Sequence, residues 1–134
     1  MGNLNAWAPR VLSLLRIVAA LLFIEHGAMK LFHFPAAPPG PAGPLPTMLL
    51  AAGWIEVVGG SLVLVGLFTR AASFILAGEM AAAYFIGHFP HSPWPGINLG
   101  GEAILFCWIF FYLVFAGGGP WSLDAALRTS DRQM

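Results

Sequence analysis

Residues 23–32 read FIEHGAMKLF and place Glu25, His26 and Lys30 inside one long apolar segment. This apolar run begins near Pro9, and its length suits a membrane-spanning helix of about 20 residues. Ionisable side chains in such a helix are costly, and they usually mark a functional site or pair with one another. The stretch therefore predicts a membrane fold and indicates where its chemistry lies.

The overall composition also favours a membrane protein. Of the 134 residues, 58% are hydrophobic and 9% are charged, whereas soluble domains carry about 25% charged residues. The formal net charge is zero, so the chain lacks the basic surface typical of nucleic-acid binding, and we expect no nucleic-acid partner. Its single cysteine, Cys107, excludes an intrachain disulfide and a paired-cysteine redox motif.

Four apolar segments reach or approach the length of a span, and they predict helices at about 9–32, 47–68, 71–88 and 97–116. Proline-rich connections follow the first and third segments, and the turn between the second and third is short enough to require an antiparallel hairpin. We predict an all-α fold in which residues 1–134 form a single membrane domain, a four-helix bundle with up-down-up-down topology. A short surface helix at about 122–128 follows the last span, with Ser122 as its N-cap.

The distribution of basic residues predicts the orientation of these helices. Arg10, Arg70, Arg128 and Arg132 fall on the side that holds both termini, and Lys30 approaches the other side. Because positive residues are enriched in cytoplasmic loops, we expect a multi-pass membrane protein with its N- and C-termini in the cytoplasm.

Each predicted span carries one glutamate, namely Glu25, Glu56, Glu79 and Glu102. Counted from the outer ends of the helices, these residues lie between the middle and the outer part of the membrane, and we expect them to converge in a shared polar core. Gly53 and Gly60 flank Glu56 on its own helix face. Small residues there allow a neighbouring helix to approach the carboxyl group closely.

Four uncompensated carboxylates would destabilise a membrane bundle, because each ionised group costs about 2.5 to 3.5 kcal/mol at a helix centre. We therefore expect Lys30 and the histidines to compensate part of the cluster and at least one glutamate to keep its proton at neutral pH. A structural role, in which the glutamates fix the helix register through interhelical hydrogen bonds, is the alternative. The candidates for a pocket that exchanges protons are Glu25, His26, Lys30, Glu56, Glu79 and Glu102, with His33, His88 and Asn98 as secondary candidates.

A metal or haem site is not expected. Carboxylate-bridged metal bundles use two Glu-x-x-His pairs, whereas Glu25 and His26 are adjacent and point about 100° apart. Haem would have only His26 and His88 as axial candidates.

Several motifs occur together in order: HGAMKLF, GWIEVVGGSLVLVGLFTR, EMAAAYFIGHFP, GGE and GGGPWSLD. In sequence and spacing they resemble the DoxX family of small bacterial and archaeal membrane proteins, over about residues 14–124. The resemblance implies an integral membrane protein of four helices, located in the bacterial inner membrane. It also implies a redox connection, because the family is named after a subunit associated with a thiosulfate:quinone oxidoreductase and other members are linked to quinone or thiol stress.

Three functions are compatible with these observations. In the first, a quinone or similar small acceptor binds the Glu/His/Lys pocket of a redox-linked membrane component. A soluble or membrane oxidoreductase partner supplies the electrons, so that the chain is an oxidoreductase subunit rather than a stand-alone enzyme. The second is a transporter or channel for protons or a small solute, for which a homodimer would be needed. The third is a non-catalytic scaffold in the lipid bilayer that docks an oxidoreductase.

Overall fold

The structure is a computed structural model, and it describes residues 2–132. Over that range the chain is helical and contains no β-strand. Its elements are a 3₁₀ turn (Leu4–Ala6), α1 (Ala8–Phe32), α2 (Thr47–Val65), α3 (Thr69–Ala83), a π-helical turn (Tyr84–His88) that continues α3, α4 (Pro95–Asn98), α5 (Gly101–Ala116) and α6 (Leu123–Asp131). The all-α prediction is confirmed.

Two of these helices, α1 with 25 residues and α2 with 19, are long and apolar enough to cross a membrane. Helix α5 is equally apolar but shorter, with 16 residues. Large apolar side chains such as Leu14, Val18, Trp54 and Phe74 are exposed on the helix surfaces. An exposed apolar surface of this extent suits contact with lipid.

Glycine residues bring α1 and α2 into close contact. A Cβ atom on Gly60 would lie 2.8 Å from Ile24 Cγ1, and one on Gly53 would lie 3.1 Å from Lys30 Cβ. Gly27 is the corresponding close-contact position on α1, since a Cβ there would lie 2.8 Å from the carbonyl oxygen of Gly53. The prediction that Gly53 and Gly60 admit a neighbouring helix beside Glu56 is therefore confirmed.

An apolar core joins the helices through their middle sections. Phe23 of α1 contacts Phe106 and Phe110 of α5, with ring centroids 5.3 and 4.8 Å apart. Leu76 of α3 and Leu113 of α5 are fully buried in the same core. Since α3 packs extensively on α5 as well as on α2, this core fixes the position of all four long helices.

Arg16 closes one end of the molecule. Its side chain is fully buried, and its guanidinium donates hydrogen bonds to the carbonyl oxygens of Val63 at 2.6 Å, Gly118 at 2.8 Å and Trp121 at 2.6 Å, and to that of Leu64. We call this end, which holds the start of α1 and the end of α2, the basal end, and the opposite end the distal end. Because Arg16 near the start of α1 contacts the end of α2, these two helices run antiparallel.

Two further charged residues at the basal end satisfy other helix ends. Arg70 donates from Nη1 to the carbonyl oxygens of Val114 and Phe115, at 2.7 and 2.6 Å, where α5 ends. Asp124 accepts hydrogen bonds from the N–H groups of Phe68 and Thr69, each at 2.9 Å, where α3 begins. These contacts supply partners for groups that a helix itself leaves unpaired.

The fourth predicted span begins too early. The segment expected as a helix from residue 97 is divided into α4 and α5, because Leu99 adopts a left-handed conformation with φ 59° and Gly100 donates to the Asn98 side chain at 2.7 Å. Helix α5 therefore begins at Gly101, which places Glu102 in its first turn. Helix α2 ends at Val65, before the predicted end at residue 68, because Gly66 terminates the helix with φ 70°.

The surface helix forms with the predicted cap but extends further. Ser122 Oγ accepts a hydrogen bond from the N–H of Ala125 at 3.2 Å, and α6 continues to Asp131 rather than ending near residue 128.

Replacing Arg16 by lysine should destabilise the protein, because an ammonium group cannot serve four carbonyl oxygens in the geometry of a guanidinium. We expect a loss of about 2 kcal/mol or more in the free energy of unfolding, measured by SDS-driven unfolding in mixed micelles. Arg10→Lys is the matched control, since Arg10 is exposed. Equal effects of the two substitutions would contradict the assigned role of Arg16.

Asp124→Ala should also destabilise the protein, by about 1 kcal/mol, because it removes a side-chain cap from α3. Burial raises the pKa of Asp124, but hydrogen bonds from the Thr69 and Phe68 N–H groups outweigh burial and lower its pKa overall. The stabilisation is therefore complete above the ordinary aspartate pKa and is lost as the pH falls through the lowered value. Thermal melts against pH test this, with the exposed Asp131→Ala as control; a pH-independent difference between wild type and Asp124→Ala would contradict it.

Candidate functional site

The central contact of the candidate site is an ion pair between α1 and α2. Lys30 Nζ donates to Glu56 Oε1, and the two side chains are 20% and 2% exposed. Gly27 and Gly53 permit this contact, because they let the two helix backbones approach beside it. A buried carboxylate with a paired lysine is an arrangement that a bilayer can accommodate.

Glu79 of α3 adds a second carboxyl group to this pair. It lies within electrostatic range of both Glu56 and Lys30. Both of its carboxyl oxygens are buried and make no hydrogen bond with any described residue, and the same holds for Glu56 Oε2. The site thus holds two carboxyl groups for one lysine and three buried oxygen atoms with free hydrogen-bonding capacity.

His26 and Glu102 form a more exposed contact between α1 and α5. His26 Nε2 lies 3.4 Å from Glu102 Oε1, and the side chains are 40% and 61% exposed. His26 Nδ1 lies 2.8 Å from the carbonyl oxygen of Leu22. Because each ring nitrogen faces an oxygen atom that accepts hydrogen bonds, both contacts can form only if the imidazole carries two protons or the Glu102 carboxyl carries one.

The structure does not bring Glu25 or His33 to the site. Both residues are exposed. Helix α1 packs on α2 through the face that carries Gly27, and Glu25, two residues earlier, points about 160° away from that face. The expected convergence of four glutamates is therefore correct only in part: Glu56 and Glu79 lie within electrostatic range of each other, Glu102 lies near His26, and Glu25 faces outward.

His88 and Asn98 belong to a separate cluster that closes the distal loop. His88 Nδ1 lies 2.9 Å from the carbonyl oxygen of Asn98. The Asn98 amide donates to the carbonyl oxygen of Ser92 at 2.8 Å and to the Tyr84 hydroxyl at 3.3 Å. These contacts fix the connection between α3 and α5, and Asn98 is not on the same helix as Glu102.

Within residues 2–132, no group of three or more histidine, cysteine, aspartate or glutamate side chains is arranged to hold a metal ion. The sequence analysis overlooked Gly27 and the structural role of Arg16. Gly27 could have been found, because it lies one turn before Lys30 on the same helix face. The contacts of Arg16 could not have been found from the sequence, because its four partners are backbone carbonyl groups, which every residue type carries.

Comparison with known proteins identifies the family. The DoxX family model matches residues 11–89, more than half of the chain. The chain belongs to the DoxX family. The matched range includes His26, Lys30, Glu56 and Glu79 and ends before Glu102, so this DoxX protein carries the buried part of the candidate site inside the family region.

Two relatives are similar over nearly the whole DoxX chain. An uncharacterized protein of Haemophilus influenzae is 45% identical over 128 residues, which cover 92% of this chain and 96% of the relative. An uncharacterized membrane protein of Mycobacterium tuberculosis is 30% identical over 147 residues, which cover 92% of this chain and 85% of the relative. No solved structure matches the chain significantly. Family and composition together identify a membrane protein.

Removing both members of the buried ion pair should cost less stability than the two single removals added together. Lys30→Met and Glu56→Gln each leave a partner without its hydrogen bond, and we expect each to cost about 3 kcal/mol, whereas the double variant should cost clearly less than their sum. SDS-driven unfolding in mixed micelles measures all three differences, with Arg132→Met as an exposed control. Strictly additive costs would show that the two residues do not stabilise each other.

Proposed function

We propose that this DoxX protein is a single domain with four membrane spans in the bacterial inner membrane and with its basal end in the cytoplasm. Helix α3 with its π-helical continuation covers Thr69–His88, about 30 Å at 1.5 Å per residue, close to the thickness of the hydrocarbon core. Helix α5 completes the fourth span together with the segment before it. Arg10, Arg70, Arg128 and Arg132 support the orientation, because they belong to the basal end.

We use the name distal site for the group formed by Lys30, Glu56 and Glu79 together with the His26–Glu102 pair. We further propose that the distal site binds the head group of a quinone or a similar small acceptor and exchanges protons with it. The observation that carries this proposal is the Glu79 carboxyl group, which is buried beside the Lys30–Glu56 pair and has no hydrogen-bond partner among the described residues. An architectural role would leave such a group paired, because unpaired ionisable groups are costly in a membrane. A bound molecule with its own donors and acceptors provides the missing partner.

The chemistry of the site suits a quinone. Lys30 can donate a hydrogen bond to a carbonyl oxygen, and so can a protonated His26. Reduction of a quinone to a quinol consumes two electrons and two protons. Glu79 and the His26–Glu102 pair are the two groups that would deliver the protons, and a partner oxidoreductase would deliver the electrons. In this role the chain is a subunit of a redox complex.

The apolar core of the protein argues against a transport function. Between the distal site and Arg16 lies a layer of large apolar side chains, with Phe23, Leu76, Phe110 and Leu113 each at most 1% exposed. Protons and polar solutes need a hydrated or hydrogen-bonded path, and this layer provides none within one chain. The distal site is therefore better suited to exchange with one side of the membrane than to conduction across it.

Glu79→Gln should remove ligand binding while the exposed Glu25→Gln should not. Protein purified in mild detergent is analysed for quinone in its lipid extract and titrated with a short-chain ubiquinone analogue. We expect at least a tenfold weaker affinity for Glu79→Gln and an unchanged affinity for Glu25→Gln. In infrared spectra, a carboxyl C=O band should disappear only in Glu79→Gln.

Three results would contradict the proposal. Equal quinone affinity in both variants and the wild type would leave the site a structural one and favour the scaffold function. Absence of quinone binding by the wild type would likewise favour a structural site and the scaffold function. A pH-dependent flux in proteoliposomes that Glu79→Gln abolishes would favour transport.

A further inference from the structure

A second polar site lies at the basal end, far from the distal site. An open cavity of about 560 Å³ separates α6 from the ends of α3 and α5. Its charged lining consists of Arg70, Arg128, Asp124 and Asp131, and Phe68 and Leu127 provide apolar walls. The glycine loop that follows α5 forms another wall. Neither the family comparison nor the distal site accounts for this cavity.

The contacts of Arg70 leave part of its guanidinium available. Its hydrogen bonds to the end of α5 both start from Nη1, and a planar guanidinium has further donors on Nη2 and Nε. These atoms lie against Gly117, where a Cβ would be 3.4 Å from Nη2. Gly117 therefore leaves the second edge of the guanidinium unobstructed, an edge that suits phosphate binding.

Arg128 of α6 lines the same cavity and is exposed, so the cavity presents a second guanidinium group beside that of Arg70.

The charges in the cavity are balanced, with two arginines and two aspartates. Asp124 is already committed to the start of α3, whereas Asp131 is exposed at the end of α6. A ligand that matches this lining carries an anionic group for the arginines and a cationic group for Asp131. A phosphate linked to a primary ammonium group has this pattern.

The position of α6 indicates the source of such a ligand. Trp121, Leu123 and Leu127 expose about half of their surface each, at 51%, 46% and 56%, and charged side chains occupy other positions of the helix. A short amphipathic helix with an exposed tryptophan at the end of a membrane bundle lies in the interface between lipid and water. The cavity beside it is therefore at the depth of phospholipid head groups.

We propose that the basal cavity binds one phosphatidylethanolamine molecule, with its phosphate on Arg70 and Arg128 and its ammonium group on Asp131. The acyl chains then extend into the leaflet along the apolar side chains of Phe68 and Leu127. This site is independent of quinone binding at the distal end. Because Arg70 also binds the end of α5, the test uses Arg128 and Asp131.

Native mass spectrometry of the full chain from mild detergent tests the site. The wild type should retain one phosphatidylethanolamine, and Arg128→Ala should reduce its retention at least fivefold. Arg132→Ala is the control, since Arg132 is exposed and does not line the cavity. Asp131→Asn should remove the preference for phosphatidylethanolamine over phosphatidylglycerol, which has the phosphate without the ammonium group. Phosphatidylcholine, whose ammonium group has no N–H donor, should bind the wild type more weakly.

Several results would overturn the proposal. Equal retention of the three lipids, or equal losses in Arg128→Ala and Arg132→Ala, would mean that the lipid contact is nonspecific. Thermal stabilisation of the wild type by inorganic phosphate to the same extent as by a short-chain phosphatidylethanolamine would identify a free-anion site instead. Quinone binding should be unchanged in Arg128→Ala, so that failure at the basal cavity and failure at the distal site give different results.

Discussion

The buried guanidinium of Arg16 is the contact on which the rest of the structure depends. A helix leaves its last carbonyl groups unpaired, and a membrane interior offers no water to bind them. Arg16 supplies hydrogen bonds to two carbonyl groups at the end of α2 and to two in the segment after α5. One side chain thereby joins the start of α1 to two distant parts of the chain, and Arg70 and Asp124 extend the same principle to α5 and α3.

These basal contacts leave a second set of polar groups in the other half of the molecule. Arg16, Arg70 and Asp124 bind backbone groups at the basal end, and the apolar core around Phe23 and Phe110 separates them from the distal half. Lys30, Glu56 and Glu79 then form a second polar layer, in which buried carboxyl oxygens have no partner among the described residues. The helix ends are thus satisfied at the basal end, whereas the distal half holds two buried carboxyl groups with unused hydrogen-bonding capacity.

The apolar segments and the prolines and glycines between them were sufficient to predict the helices. The small residues Gly53 and Gly60 were sufficient to predict that another helix approaches α2 closely. The beginning of α5 was not predictable from apolar character, because a left-handed residue, Leu99, and the Asn98 side chain end one helix before the next begins. The spacing of polar residues in α1 did not determine which face of this helix packs on α2. In the structure, the packed face brings Lys30 to Glu56 and leaves Glu25 exposed on the other side. The partners of Arg16 were invisible to sequence patterns, because any residue can supply a backbone carbonyl.

The balance of charges in the distal layer favours a ligand over a purely architectural role. Lys30 and Glu56 would form a neutral pair by themselves, and replacing such a pair with apolar residues is often neutral or stabilising. Glu79 adds a second carboxyl group without a second lysine, at a cost of up to about 3 kcal/mol if it is ionised. A residue that only fixed helix register would have a hydrogen-bond partner on a neighbouring helix, as Asn98 has in the Tyr84 hydroxyl of the π-helical turn. The combination of burial, proximity to Lys30 and free oxygen atoms is what a proton-exchanging binding site requires.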